Sequence, residues 1–182
     1  MPCNTFRGSR TLRRSVDGHR QARLERLYDD HGEAVLRYAL RRTDADTAAD
    51  VLADTFLVAW RRIDRVPAAA RPWLLGVARR VLANQRRGER RRLKLIARLA
   101  AEPAPVPAGA GDVPTALRRL APRDREALML VHWDGLTSGE AAEVVGCSPL
   151  AFRSRLHRAR RRLAAELDPA DVPEEGGALA RS

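Results

Sequence analysis

The residues best placed to do chemistry lie in PLAFRSRLHRARRRL, residues 149–163. At 3.6 residues per turn, Leu150, Ser154, His157, Arg158 and Arg161 fall on one face of a helix, with Arg153 on its flank. Guanidinium forks and short hydroxyls are the groups that meet phosphates and base edges in a DNA major groove. The opposite face repeats Phe152, Leu156, Ala159 and Leu163, an apolar stripe able to seat such a helix. Upstream, Thr137 and Glu140 have the spacing of a capping box. Ala142 and Gly146 are small where two helices must approach and the chain must turn. Ser148 and Pro149 then supply an N-cap and a proline at the first helical position. Residues 136–163 therefore read as a helix-turn-helix. The plainer reading is a helical hairpin with a solvated basic face, but two caps, a small-residue turn and a proline together favour a reader of duplex DNA.

Two further surfaces carry charge in a pattern. Over residues 44–63, Ala48, Val51, Leu52, Thr55, Phe56, Ala59 and Ile63 cluster on one side of a helix. Asp46, Asp50 and Asp54 stack on the other, joined by Leu57 and Arg61. Three carboxylates in a row repel one another unless something offsets them. The stripe is open to three readings: a solvated face with acids at the positive end of the helix dipole, a site for a hard cation, or a docking surface for a basic protein. In the last, Leu57 and Trp60 would be the apolar anchor. A single helix face cannot surround a metal ion, so no metal site is expected. Over residues 71–87, Trp73, Leu74, Val77, Ala78 and Val81 read as inward-facing. Arg79, Arg80, Asn84, Arg86 and Arg87 lie outward or near the helix end. With Arg90, Arg91 and Arg92 they make a second basic surface, suited to a single strand beside the loop at residues 64–71. Trp73 could stack on an unpaired base, but its spacing to Val77 and Val81 favours a place in the core.

These surfaces need elements to position them. The chain has 182 residues, 34 Lys+Arg against 23 Asp+Glu, and a formal net charge of +11. A charge of that sign points to a polyanion, nucleic acid before an anionic membrane. Lys94 is the only lysine, and the bias to Arg and Ala also fits a GC-rich coding genome. Cys3 and Cys147 are the only cysteines and form no metal-binding or disulfide pattern. There is no apolar run of about 18 residues, and the basic start lacks a hydrophobic segment, so neither membrane insertion nor secretion is expected and the cytoplasm is. The expected fold is all-α: two small helical domains joined by a flexible linker. Residues 1–18 form a flexible basic arm, 19–90 the first domain, 91–113 a linker, 114–167 the helix-turn-helix domain and 168–182 a disordered tail. Helices are expected over 44–63, 72–87, 115–120, 122–133, 138–145 and 149–167, after a first amphipathic helix that includes Leu24, Leu27, Tyr28, Val35, Leu36, Ala39 and Leu40.

Three segments, in order, carry a resemblance. AADVLADTFLVAWRRI resembles the acidic, aromatic-ended polymerase-binding helix of bacterial RNA polymerase sigma factors of the extracytoplasmic-function (ECF) type. RPWLLGVARRVLANQRR is similar to the promoter-melting and −10-reading helix of that family, and LTSGEAAEVVGCSPLAFRSRLHRARRRL to its −35-reading module. Departures are Ala53-Asp54 for the frequent Gln-Glu, Arg80 for Asn, and Leu150-Ala151-Phe152 for Gly-Thr-Val; the last means that promoter preference is not carried over. The resemblance implies region-two and region-four domains and an initiation subunit with no catalytic residues and no cofactor. Asp50, Asp54, Leu57 and Trp60 would dock on core RNA polymerase. The loop at 64–71, including Arg65 and Arg71, would engage the −10 element of promoter DNA with Arg79, Arg80, Asn84 and Arg87. Ser148, Ala151, Arg153, Ser154, His157 and Arg158 would face the −35 major groove. An anti-sigma factor is a further partner that the resemblance implies. The rivals are a stand-alone helix-turn-helix regulator that never joins polymerase, and a metal-dependent enzyme built on the aspartate stripe.

Overall fold

The computed structural model describes residues 8–97 and 113–167, and among these every regular element is helical. The order is α1 (Gly8–Leu40), α2 (Ala45–Arg61), a 3-10 turn (Ile63–Arg65), α3 (Ala70–Ala97), α4 (Val113–Arg119), α5 (Pro122–His132), α6 (Ser138–Val145) and α7 (Pro149–Leu167). The chain divides into two units, one built on α1–α3 and the other on α4, α5, α7 and most of α6.

In the first unit α1, α2 and α3 pack against one another. The core takes Val35, Tyr38 and Ala39 from α1, Ala48, Val51, Phe56 and Ala59 from α2, and Leu74, Leu75 and Ala78 from α3. Each of the larger side chains contributes roughly 1.5–3 kcal/mol by leaving water. Ile63, fully buried, plugs the end of this core from the 3-10 turn. Asp44 starts α2: its carboxylate accepts from the Thr47 amide and the Thr47 hydroxyl, each at 2.9 Å. Those bonds, the backbone one foremost, hold its pKa down to about 2. Leu75, buried on α3, was not among the residues expected inward, whereas Trp73 and Val81 are only half-buried.

Two boundaries differ from expectation. Residues 8–18, read as part of a flexible arm, lie within α1, and α3 runs on to Ala97 through residues placed in the linker. Both stretches are rich in arginine, a good helix former, and contain no proline; Gly18 and Gly88 cost only about 1 kcal/mol each against alanine, too little to end a helix. Residues 1–7, 98–112 and 168–182, which hold the rest of the expected arm, most of the linker and the tail, lie outside the described residues.

In the second unit α7 packs against α5 and α4. Phe152, Leu156 and Ala159 are buried along it, facing a core that includes Leu128, Leu130 and Leu120. Gly135 and Gly146 take positive φ, 65° and 73°. At Gly146 this left-handed residue ends α6, and the Gly146 and Cys147 amides close onto the Ala142 carbonyl at 2.9 and 3.0 Å.

Candidate nucleic-acid interfaces

The turn into α7 is built as its residue types require. The Glu140 amide donates to the Thr137 hydroxyl at 3.3 Å, and the Thr137 amide donates back to the Glu140 carboxylate at 2.8 Å, a closed capping box. The Ala151 amide donates to the Ser148 hydroxyl at 3.2 Å, with Pro149 first in the helix. These caps fix where α7 begins, and therefore which side chains its buried stripe turns outward. Ser148, Ala151, Arg153, Ser154, His157 and Arg158 are all exposed, and Leu150 stands 66% exposed at the N-terminal end of the same face. The positive end of the helix dipole adds to the field there.

Two arginines of α7 are spent within the unit. Arg162 pairs with Asp124, whose side chain is 9% exposed, and Arg160 lies 3.4 Å from the His132 ring. From the other side Arg119 of α4 reaches Glu166 at 3.5 Å. These links brace the C-terminal half of α7 and leave Arg153 and Arg158 pointing to solvent. Sequence reasoning missed Asp124. An aspartate in PRDRE carries no mark of burial, and only its place in the first turn of α5 hints at a structural role.

On the first unit, Arg65 sits in the 3-10 turn and Arg71 in the first turn of α3, exposed and half-buried respectively. Arg80, Asn84 and Arg87 follow along one exposed side of α3, and Arg79 is half-buried. From Arg71 to Arg87 the helix rises about 24 Å, the length of about seven base pairs. Some of these groups are engaged as they stand: Arg80 Nε donates to the Gly76 carbonyl at 3.0 Å, and Arg87 donates to the Asn84 side-chain oxygen. A DNA strand would compete readily with the exposed Arg87–Asn84 contact, and less readily with the part-buried Arg80–Gly76 bond.

The third surface is on α2. Asp50, Asp54 and Leu57 are exposed at consecutive turns, Leu57 by 45%. Trp60 is half-buried, and the Arg20 guanidinium lies 5.2 Å from the centre of its ring. Among the described residues no group of three or more His, Cys, Asp or Glu is arranged to hold a metal ion, and no helix is long and apolar enough to cross a membrane.

Known proteins share both halves. Residues 27–92 match Sigma-70 region 2 and residues 110–163 match Sigma-70, region 4. The ECF RNA polymerase sigma factor SigC of Mycobacterium tuberculosis is 35% identical over 160 residues, which cover 82% of this chain and 85% of that protein. The chain belongs to the ECF family of RNA polymerase sigma factors. SigL of the same species is 32% identical over 155 residues, covering 78% of this sigma factor and 87% of SigL. Among solved structures, the sigma factor RpoE of Bartonella quintana, in complex with the anti-sigma factor NepR, superposes with a TM-score of 0.62 at 28% identity, over 81% of this chain and 98% of that one. As a sigma factor, the protein binds core RNA polymerase and directs promoter-specific initiation through −35 and −10 elements. A stand-alone helix-turn-helix regulator is not favoured, because such a protein has no use for a region 2.

Proposed function

We propose that the three surfaces divide the work of initiation. Ser148, Ala151, Arg153, Ser154, His157 and Arg158 read the −35 major groove, with the arginines sharing base and phosphate contacts. The loop at residues 64–71, with Arg65 and Arg71, and the α3 residues Arg79, Arg80, Asn84 and Arg87 engage the −10 element and its displaced strand. Asp50, Asp54, Leu57 and Trp60 dock on core polymerase. Residues 19–90 act as the region-two domain and 114–167 as the region-four domain. The protein performs no catalysis of its own and works in the cytoplasm, where an anti-sigma factor of the kind bound to RpoE holds it inactive by covering the docking or DNA faces.

The observation that carries this reading is the outward set of α7, exposed from Ser148 to Arg158 above a fully buried Phe152. Run-off transcription with core polymerase on a genomic promoter library tests it. The expected result is a small set of discrete transcripts that disappear when the protein is withheld. Retention of the chain on core enzyme without promoter selectivity would sink the assignment of the α7 face.

A further inference from the structure

The segment from the 3-10 turn into α3 carries a few backbone bonds of its own: the Val66 amide donates to the Ile63 carbonyl at 3.4 Å and the Ala70 amide to the Ala68 carbonyl at 3.0 Å. Ile63 and Val66 are buried pegs, while Asp64, Arg65, Pro67, Ala68 and Ala69 are exposed between and beyond them. The segment is also held from outside, by the N-terminal half of α1. Arg23 Nη2 donates to the Val66 carbonyl at 2.7 Å, a part-buried bond between residues 43 apart in sequence. One helical turn earlier, Arg20 lies 3.7 Å from the Asp64 carboxylate, with its guanidinium over the Trp60 ring.

The structure assigns Arg23, supported by Arg20, as the positioning residue of this loop: the two arginines of α1 fix the backbone on which the displaced −10 strand is read, without touching DNA themselves. The chemistry favours arginine for the task. Its guanidinium stays charged and offers several donors in a rigid fork, so one side chain can hold a carbonyl while its stem packs on the helix. A carbonyl held by a charged donor in a part-buried place is fixed more firmly than one left to water. Arg20 joins the loop to Trp60, so the strand-reading segment and the proposed docking anchor share one support. This inference rests on the −10 assignment proposed for residues 64–71.

The test uses the full chain bound to core polymerase and a DNA pool with a randomised upstream duplex and a randomised single-stranded downstream tail. Retained molecules are sequenced for the wild type, Arg23→Ala, Arg23→Lys and Arg20→Gln. The wild type should enrich particular bases in both parts. Arg23→Ala should flatten the tail enrichment about tenfold, the worth of one hydrogen bond from a charged donor. The duplex enrichment and core affinity should stay unchanged, and Arg23→Lys, which keeps a cationic donor, should restore part of the tail preference. Damage to the fold of the first unit would instead lower core affinity together with the tail enrichment, because the docking residues lie on that same unit. Tail enrichment by Arg23→Ala within twofold of wild type overturns the positioning role and leaves the −10 assignment standing. A wild type with no tail preference removes the −10 assignment itself. If Arg23→Ala loses helical content, Arg20→Gln decides: a flattened tail preference supports the role, and an unchanged one overturns it.

Discussion

Replacing Arg162 with alanine should weaken the second unit far more than an ordinary surface truncation. Arg162 is itself 59% exposed, and an ion pair judged from that side would be worth little. The weight lies with its partner: the Asp124 side chain is only 9% exposed, so losing the guanidinium leaves a buried carboxylate without its counter-charge. The position of Asp124 in the first turn of α5 offsets part of the loss through the helix dipole. The net cost should be about 1–2 kcal/mol, below the range for a fully enclosed pair. Urea unfolding measures it in a Trp60→Phe/Trp73→Phe background, where the fluorescence of Trp133, at the end of α5, reports on the second unit alone. At a slope of about 1 kcal/mol per molar urea, the midpoint should fall by about 1–2 M. Adding Asp124→Asn to Arg162→Ala should recover part of the loss, because a neutral amide is cheaper to bury than an unpaired charge. A midpoint within about 0.3 M of the parent, or a double variant weaker than the single one, would refute the view that burial on one side gives this pair its strength.

Other expectations are shorter to state. Arg153→Ala should reduce promoter-specific binding by roughly 1–3 kcal/mol and relax base preference at one −35 position, read by competition binding of holoenzyme to sequence variants. The Asp50→Asn/Asp54→Asn pair should lower affinity for core polymerase while the thermal melt of the free protein stays as it was, since both side chains are exposed; an unchanged affinity would remove α2 from the docking face. Asp44 has a folded pKa of about 2, below its ordinary 3.8, so its contribution to α2 is complete above about pH 4 and lost as pH falls through about 2. The stability gap between wild type and Asp44→Ala should therefore close over that acid window, as followed by circular dichroism. A gap that widens on acidification would show the sign to be wrong.

The features most legible in the sequence were those with a local cause. Thr137, Glu140, Gly146, Ser148 and Pro149 fix their turn by contacts within a few residues, so α6 and α7 lie at the expected positions. The apolar period of α2 likewise gave its buried face, from Ala48 to Ala59. Helix ends in the arginine-rich stretches were not legible. With no apolar period to follow, the only signals were Gly18 and Gly88, and neither terminates its helix. Long-range polar links were equally hidden. Nothing in the sequence pairs Arg162 with Asp124 or brings Arg23 to the Val66 carbonyl, because those meetings depend on how helices pack.

The proposed DNA-facing side chains include arginines at Arg65, Arg71, Arg79, Arg80, Arg87, Arg153 and Arg158, and no lysine. A guanidinium does not titrate in any cellular range and is not a substrate for acetyl transfer. Neither a swing in internal pH nor an acyl donor can therefore erase the positive charge of these faces. Control over such a surface can work by shielding it with another macromolecule, by changing the ionic strength around it, or by adding negative charge at a neighbouring hydroxyl such as Ser148 or Ser154.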